Sequence, residues 1–265
     1  MMSRELLHIW GPISIYSYGF AIAVGLLAFV WLFLRNPLCK SLISKDKFIE
    51  TVSLSLIVGL AGARFLFVIN SLNRFESFGE LFTLWSGGLS MLGGLLAILI
   101  FLPLWLKRNN VPILPFLDLA AIYAPLLHSI SRLGCFMAGC CYGQMTSLPW
   151  GITYTDLQSE APLNVPLHPT QLYMSAILFC TFLLFYFVIQ KKVRCSGQLL
   201  MLYLIVESSL RFTIDYWRAD IEYFAFDSWQ LFSAHQWISL GMFGASIIGF
   251  VWVTKQCKKV RATTV

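Results

Sequence analysis

A succession of long apolar runs constrains the fold of this chain more than any other feature of its sequence. Each run approaches the roughly 20 residues that an α-helix needs to cross the hydrocarbon core of a bilayer. The runs are Ile13–Leu34, Thr51–Ile69, Leu84–Leu106, Ile113–Ser131, Gln171–Ile189, Gln198–Trp217 and Ala234–Thr254. Open strands cannot satisfy their backbone polar groups in lipid. The runs therefore predict an all-α integral membrane protein with about seven transmembrane helices, in one polytopic domain that spans residues 1–265.

The composition supports a membrane protein. Hydrophobic residues make up 58% of the chain and charged residues 12%, and the mean hydropathy is +0.72. Soluble domains are nearer half apolar and a quarter charged. Because membrane proteins gather lysine and arginine on one side, the net charge of +6 does not indicate a nucleic-acid partner.

The distribution of lysine and arginine predicts the orientation. One set of alternate connections carries most of these residues, namely Arg35, Lys40, Lys45, Lys47, Lys107, Arg108, Lys191, Lys192, Arg194, Lys255, Lys258, Lys259 and Arg261. The other set holds Arg4, Arg74 and Arg218. This asymmetry predicts that the N-terminus lies outside and the C-terminus in the cytoplasm. The longest outer connection, about residues 135–169, contains no lysine or arginine and is predicted to form a small outer cap between helices 4 and 5.

Three arginines, Arg64, Arg132 and Arg211, lie within the apolar runs or at their outer ends. An unpaired guanidinium in hydrocarbon is costly, so these residues predict an anion site in the outer half of the bundle. Arg132 is the strongest candidate because Gly134, Gly139 and Gly143 follow it. Glycines permit tight turns and close backbone approach, and a guanidinium suits bidentate binding of phosphate.

A second charged motif is Arg211-x-x-x-Asp215-x-x-Arg218, whose spacing places the three charges on one helix face. Asp215 is interpreted as orienting Arg211 toward a ligand, with Arg218 facing lipid headgroups. Alternatively, Asp215 only neutralises the arginines within the bundle.

Other candidates are weaker. Arg64 follows a stripe of small residues that favours close helix packing, so structural and functional roles are about equally supported. His168-Pro169 opens the fifth helix and could be only a cap. Tyr18-Gly19 in the first helix is weak evidence alone.

The chain has seven cysteines, of which Cys135, Cys140 and Cys141 are clustered. They could be core thiols, a disulfide facing an oxidising compartment or reactive groups. Their spacing is not that of a zinc site, so no metal is predicted.

Together these motifs resemble the prolipoprotein diacylglyceryl transferase family over nearly the whole chain. The resemblance rests on seven ordered motifs: Tyr18-Gly19, Gly62-Ala-Arg64, Trp85-Ser-Gly87-Gly88-Leu-Ser-Met-Leu-Gly93-Gly94, Arg132-x-Gly134-x-Phe136, His168-Pro-Thr-Gln171-Leu-Tyr173, Arg211-Phe-x-x-Asp215-x-x-Arg218 and His235-Gln236-Trp-Ile-Ser239.

The chain departs from the family pattern at four positions. Cys135 stands where the family usually has asparagine, and Cys140 and Asp215 stand where glutamates are usual. Leu92 stands where a histidine is usual. His128, one helical turn before Arg132, is hypothesised from its spacing to take over proton handling.

The resemblance implies a bacterial enzyme of the cytoplasmic (inner) membrane with several spans. Its donor would be phosphatidylglycerol, a membrane lipid, and its acceptor the lipobox cysteine of a prolipoprotein. The thiol would attack the glyceryl carbon next to the phosphate, forming a thioether and releasing glycerol phosphate, with no metal or organic cofactor. The implied catalytic residues are Arg132, Arg211, His128 and Asp215. The implied substrate-binding residues are Arg132, Tyr18, Arg64, Gly134, Gly143, His168, Gln171 and Arg218.

Three other functions are compatible with the sequence. The chain could be a diverged family member with another acceptor. It could be an anionic-lipid transporter in which the arginines bind a substrate in transit, although no internal repeat supports this. It could also be a thiol-redox membrane protein that uses Cys135, Cys140 and Cys141.

Overall fold

The computed structural model describes residues 5–10, 13–72, 88–193, 195–221 and 231–263. The chain is mostly helical within these ranges. The helices are α1 Ser17–Arg35, α2 Pro37–Leu42, α3 Lys45–Asn70, α4 Met91–Arg108, α5 Ile113–Ala138, α6 Thr170–Leu184, α7 Gln190–Lys192, α8 Gln198–Ile214 and α9 Ala234–Thr263. A π-helical turn, Phe185–Ile189, joins α6 to α7, and a 3₁₀ turn, Asp215–Trp217, follows α8. Two short sheets pair β1 (Glu5–Trp10) with β2 (Ile13–Tyr16) and β3 (Ile152–Thr153) with β4 (Pro166–Leu167).

The helices confirm the prediction of an all-α integral membrane protein. Six of those described are long and apolar enough to cross a bilayer: Ser17–Arg35, Lys45–Asn70, Met91–Arg108, Ile113–Ala138, Thr170–Lys192 and Ala234–Lys259. The remaining predicted span corresponds to α8, which has 17 residues. At 1.5 Å per residue α8 is about 26 Å long, a little shorter than the roughly 30 Å hydrocarbon core. This short helix carries Glu207 and Arg211, two of the polar residues described below.

Three predicted boundaries are corrected. The first run begins as a strand, Ile13–Tyr16, because its polar and apolar residues alternate with the period of a strand. The third helix begins at Met91, where the Ser90 side chain caps it by accepting from the Gly93 backbone N–H. Leu84–Gly87 of the predicted run, with Trp85, lie outside the described residues.

The third correction concerns the cap. Helix α5 continues to Ala138, so Cys135 is helical and the predicted cap begins at Gly139. The cap has a core of its own, formed by the buried side chains of Tyr154, Ala161 and Leu167.

The described residues divide into two compact units, and the second consists of residues 34–116 with 11–13. Glycines hold its two long helices, α3 and α4, close together. A Cβ at Gly62 would overlap Ala97 and the Gly93 carbonyl, and a Cβ at Gly93 would overlap the Gly62 carbonyl. This contact is the close packing that the small-residue stripe predicted.

The first unit consists of residues 1–10, 14–33 and 117–265. Polar contacts fix its helices against one another. Ser129 of α5 and Ser175 of α6 each donate to the other's carbonyl, at 2.8 and 2.9 Å. The Asp118 carboxylate of α5 accepts from the backbone N–H groups of Gly197 and Leu200 at the start of α8. A helix N-terminus favours such an anion, so Asp118 anchors α8 to α5.

A disulfide between Cys195 and Cys257 joins the loop before α8 to the last turns of α9. Both cysteines lie at helix ends rich in lysine, the ends that the sequence assigned to the cytoplasm. Cys135, Cys140 and Cys141 have free thiols. The disulfide that the sequence allowed for this cluster is therefore not formed there.

Candidate active site

The end of α5 is shaped by Gly139, which has a positive φ of 75°. The Gly139 backbone N–H donates to the Phe136 carbonyl, and the Cys140 N–H donates to the Cys135 carbonyl at 3.2 Å. This pair of hydrogen bonds is a Schellman motif, which needs a left-handed residue and commonly brings the side chains at its two ends together. In this chain those two residues are Cys135 and Cys140.

The segment that follows the cysteines, at Gly143, lies between the segment before α6 and the segment after α8. The Gly143 N–H donates to the His168 carbonyl at 3.1 Å, and the following Gln144 N–H donates to the Trp217 carbonyl at 2.8 Å. A Cβ at Gly143 would lie 2.5 Å from the His168 carbonyl and 2.9 Å from that of Trp217. Gly143 pairs with Arg218 as an antiparallel bridge, so this glycine is needed to hold the segment that carries Arg218.

Three guanidiniums meet in one small pocket within the first unit. The pocket is lined by Arg132, Cys141, Thr170, Gln171, Met174, Arg211, Ile214 and Arg218. The structure thus brings together Arg132, Arg211, Arg218 and Gln171, which the sequence proposed as site residues. Three fixed cations in a largely buried pocket can bind an anion strongly, because little water competes with them.

Asp215 provides the anionic group among these arginines. Its side chain is fully buried, with one oxygen 3.8 Å from Arg211 Nε and 3.5 Å from a terminal nitrogen of Arg218. The other carboxylate oxygen accepts from the Ser233 hydroxyl. Gln236 accepts from the Ser233 N–H and donates to the Phe212 carbonyl. Asp215 therefore contacts both arginines and neutralises part of their charge.

Arg218 differs from its interpretation as a residue that faces lipid headgroups. It is only 5% exposed, and its guanidinium binds both carboxylate oxygens of Asp220, at 3.0 and 2.9 Å. Burial lowers the pKa of Arg218, but its hydrogen bonds to Asp220 and the charges of Cys141 and Asp215 raise the pKa overall. Arg218 therefore stays charged and forms one side of the pocket.

His128 lies beside Arg132 and belongs to a chain of three polar side chains. Arg132 Nε donates to His128 Nε2 at 3.1 Å, and His128 Nδ1 lies 3.1 Å from a Glu207 carboxylate oxygen. The Nε2 lone pair is therefore engaged, and the ring donates to Glu207 through Nδ1. This arrangement fixes the direction of the Arg132 side chain.

Glu207 and Asp118 are two further polar residues of the structure that were not predicted from the sequence. Each is an acidic residue within an apolar run, and ionisable residues there indicate function or a specific partner. Because both carboxylates lie within apolar runs, as the three arginines do, the same signal was available for them in the sequence.

Gln171 and Thr170 hold the cysteine loop from α6. Gln171 Nε2 donates to the Cys140 carbonyl at 2.7 Å, and Thr170 Oγ1 donates to the Cys141 carbonyl at 2.8 Å. The Gln171 Oε1 atom is buried and accepts no hydrogen bond from any residue that the structure describes. Because Gln171 lines the pocket, this oxygen is a ready acceptor for a ligand hydroxyl.

His168, proposed as a substrate-binding residue, is not among the residues that line the pocket. Its Nδ1 lies 3.3 Å from the Tyr173 hydroxyl, which accepts from the Trp150 indole. Its backbone supports Gly143, as described above. The structure thus gives His168 a supporting position.

Gly134 and Tyr18 are neighbours across the contact between α5 and α1. A Cβ at Gly134 would lie 3.0 Å from the Tyr18 Cα and 2.7 Å from the Ala21 Cβ. This close approach puts the Tyr18 hydroxyl within electrostatic range of Arg132 and of the three clustered cysteines. Gly134 therefore acts through helix packing.

Arg64 belongs to the second unit. Its guanidinium donates to the Gly88 carbonyl at 3.0 Å and lies over the Phe67 ring at 5.5 Å. Both contacts are structural and support the packing role of Arg64. Leu92 lies in the first turn of α4 in the same unit.

The thiols of Cys135, Cys140 and Cys141 lie within 4.8 Å of one another. Cys141 has a positive φ of 58°, which turns the chain back toward α5. Hydrogen bonds from the Cys135 and Cys140 thiols, and then the guanidinium charges of Arg132 and Arg218, lower the pKa of the Cys141 thiol against the effect of burial. Nearby, burial raises the pKa of Tyr154 to about 12, and its hydroxyl donates to the Phe136 carbonyl.

Comparison with known proteins gives this site its context. A family model described as prolipoprotein diacylglyceryl transferase matches residues 4–252. The phosphatidylglycerol–prolipoprotein diacylglyceryl transferase of Clostridium tetani is 33% identical over 221 residues, which cover 83% of this chain and 86% of the relative. A Clostridium perfringens relative with the same name, numbered 2, is 32% identical over 78% of this chain and 80% of its own. A Finegoldia magna relative is 30% identical over 84% and 86%. The chain therefore belongs to the prolipoprotein diacylglyceryl transferase family.

Proposed function

We propose that this protein transfers the diacylglyceryl group of phosphatidylglycerol to the lipobox cysteine thiol of a prolipoprotein. The observation that carries the proposal is the pocket lined by Arg132, Arg211 and Arg218. One buried carboxylate, Asp215, contacts two of these three cations. Asp220 binds Arg218 as well, so these two carboxylates leave one of the three positive charges unbalanced, and a phosphodiester headgroup would balance it.

The reaction needs this charge most at its transition state. The thiol sulfur forms a bond to the glyceryl carbon, and the bond between that carbon and the phosphate oxygen breaks. The bonding electron pair leaves with glycerol phosphate, whose negative charge increases as the bond breaks. Fixed guanidiniums in a low-dielectric pocket stabilise such developing charge better than water does. Arg132 and Arg211 are assigned as the phosphate clamp.

The other site residues have supporting roles in this proposal. Asp215 orients Arg211, and the chain from Glu207 through His128 orients Arg132. The free Gln171 Oε1 accepts a hydroxyl of the lipid headgroup, and Tyr18 contacts the same headgroup. Gly134 and Gly143 allow the close contacts that bring these groups together.

The protein is a multi-pass membrane protein, and we propose the bacterial cytoplasmic membrane as its location. The basic residues at the ends of α1, α4, α7 and α9 support a cytoplasmic position for those ends. The pocket then faces the outer side, where exported prolipoproteins arrive.

The test uses purified protein in vesicles that contain phosphatidylglycerol labelled in its acyl chains. A synthetic lipobox peptide is the acceptor, and mass spectrometry detects the thioether-linked diacylglyceryl peptide. The expected result is one diacylglyceryl group per peptide, together with an equal amount of glycerol phosphate. Arg132→Ala should lower the rate at least about 100-fold, since it removes a charged partner of the leaving group.

Two controls make the result specific. A peptide with serine in place of the lipobox cysteine should give no product. Arg108→Ala, which removes an exposed arginine at the end of α4, should transfer at the wild-type rate. Lipid moving between leaflets without covalent product would instead indicate a transporter and would refute the proposal.

A further inference from the structure

The three clustered thiols have the chemistry and the spacing of a soft-metal site. Cys135 is buried, Cys140 and Cys141 are partly buried, and all three sulfur atoms lie within 4.8 Å of one another. A tetrahedral zinc ion with Zn–S bonds of about 2.3 Å holds its sulfur ligands about 3.8 Å apart. A contraction of about 1 Å at most would bring the three sulfur atoms onto one ion.

Backbone conformation and hydrogen bonds at several residues bring the three thiols together. The Schellman motif brings Cys140 back to Cys135, and the left-handed conformation of Cys141 directs the chain toward both. From α6, Gln171 holds the Cys140 carbonyl and Thr170 holds the Cys141 carbonyl. These contacts from a second helix stabilise the loop, so the thiols are held in place before any ion binds.

The surrounding charges favour a metal–thiolate complex. Three thiolates and one Zn²⁺ carry a net charge of −1. Arg132, Arg211 and Arg218 all lie in electrostatic range of Cys141. Thiolates select zinc over hard cations such as Mg²⁺ or Ca²⁺.

Three protein ligands leave one position open, as in catalytic rather than structural zinc sites. Cys141 itself lines the pocket that contains the three arginines, so the thiol cluster adjoins the space where the lipid phosphate would bind. A coordinated thiol is deprotonated by the metal, which is the state that an attacking acceptor thiol needs.

Among the described residues that line the pocket there is no carboxylate and no histidine that could accept this proton. The Nε2 lone pair of His128 is taken by Arg132.

We propose that Cys135, Cys140 and Cys141 bind one Zn²⁺ ion whose fourth ligand is the thiolate of the acceptor cysteine. The proposal rests on the proposed transferase function. The acceptor S–H proton leaves to solvent when the thiol coordinates. The coordinated sulfur then forms the bond to the glyceryl carbon as the carbon–oxygen bond to phosphate breaks, and the electron pair leaves with glycerol phosphate. No oxidant or reductant takes part.

The first test measures metal content independently of activity. Protein purified under reducing conditions is stripped, loaded with Zn²⁺ or Co²⁺ and analysed for metal per chain. The expected result is one equivalent, with a thiolate-to-cobalt absorption band in the Co²⁺ form. Cys140→Ser and Cys141→Ser should each weaken binding about 100-fold, while Cys180→Ser, at an exposed position of α6, should leave it unchanged. Thermal unfolding verifies that each variant is folded.

The second test adds lipobox peptides to the Co²⁺ form. The cysteine peptide should change the cobalt spectrum, because its sulfur enters the fourth position, and the serine peptide should not. If the cysteine peptide changes the spectrum but no diacylglyceryl peptide forms from phosphatidylglycerol, the transferase proposal fails and the metal site stands.

Three results would overturn the metal proposal. One is absence of stoichiometric metal in folded protein whose three thiols are all titratable. Another is a disulfide within the cluster of the active protein. The third is transfer at the full rate by stripped protein in the presence of a chelator, which would leave the transferase proposal intact.

Discussion

Replacing Asp215 with Asn removes the buried negative charge that neutralises the arginine pocket. Asn keeps the size of the side chain and an oxygen that can accept from Ser233. The substitution leaves Arg211 and Arg218 buried beside each other without their shared counter-charge. We therefore expect Asp215→Asn to destabilise the ligand-free protein strongly.

The distances give the size of the effect. Charges 3.8 and 3.5 Å apart, as Asp215 is from Arg211 and Arg218, attract by about 4–5 kcal/mol each at an effective dielectric constant of about 20. Burying the carboxylate offsets much of this attraction. Removing one member of a buried ion pair costs about 3–5 kcal/mol overall. For a chain of this size that cost corresponds to a fall of roughly 10 °C in the unfolding temperature.

The assay is thermal unfolding in detergent, with Asp220→Asn as the matched control. Asp220 binds the same arginine at 2.9 Å, but its side chain is 31% exposed, so its loss should cost about 1 kcal/mol or less. Added phosphatidylglycerol should stabilise Asp215→Asn more than the wild type, because the lipid phosphate replaces the lost charge. Equal unfolding temperatures for the two variants would refute the role of buried Asp215 as the shared counter-charge of Arg211 and Arg218.

Further predictions concern the support of the pocket and the orientation of the chain. Glu207→Gln should lower kcat/KM about tenfold, because Glu207 orients Arg132 through His128. The unfolding temperature should change by no more than a few degrees. The control Glu50→Gln, on an exposed face of α3, should have no effect on kcat/KM. Gly143→Ala should abolish activity and destabilise the fold, because its Cβ would meet two backbone carbonyls. Gly241→Ala should be tolerated, because its Cβ has open space around it. Equal effects of the two substitutions would contradict the close packing at Gly143. After reduction, a membrane-impermeant maleimide should label Cys257 in inside-out vesicles and not in intact cells; the opposite pattern would reverse the proposed orientation.

The orientation prediction also bears on the disulfide between Cys195 and Cys257. Disulfides are rare in a reducing cytoplasm, and the proposed orientation puts the lysine-rich helix ends that carry this bond on the cytoplasmic side. The two cysteines are therefore expected to be reduced in the cell, which alkylation before lysis would measure.

The general architecture could be predicted from the sequence because a membrane span is determined by length and hydropathy. For α3, α5 and α9 one end of each predicted span lies within one residue of the observed end, while the other ends lie six, seven and nine residues further out, at Lys45, Ala138 and Thr263. The exact end of α8 could not be predicted, because the apolar pattern runs into Tyr216 and Trp217 while the backbone tightens into a 3₁₀ turn. The strand Ile13–Tyr16 was missed since hydropathy alone does not separate strand from helix at the edge of a run.

Which polar residues meet was harder to predict. The spacing of Arg211, Asp215 and Arg218 predicted their contact because it is local in sequence, although only Arg211 lies in α8, and Asp215 and Arg218 belong to the 3₁₀ turn and the residue after it. The link from Glu207 to His128 joins two helices, and no local pattern encodes it. Cys135 and Cys140 lie five residues apart, which does not match a zinc-finger spacing, but Gly139 between them allows the helix end that brings them together.

The most direct test of the central claim is a double-mutant cycle on the phosphate clamp. Transfer of labelled diacylglyceryl to the lipobox peptide is measured for the wild type, Arg132→Ala, Arg211→Ala and the double variant. If both guanidiniums stabilise the same leaving phosphate, each single variant should lose at least about 100-fold in kcat/KM, and the double variant should lose much less than the product of the two. Transfer by either single variant at the wild-type rate, or fully multiplicative losses, would contradict a shared clamp.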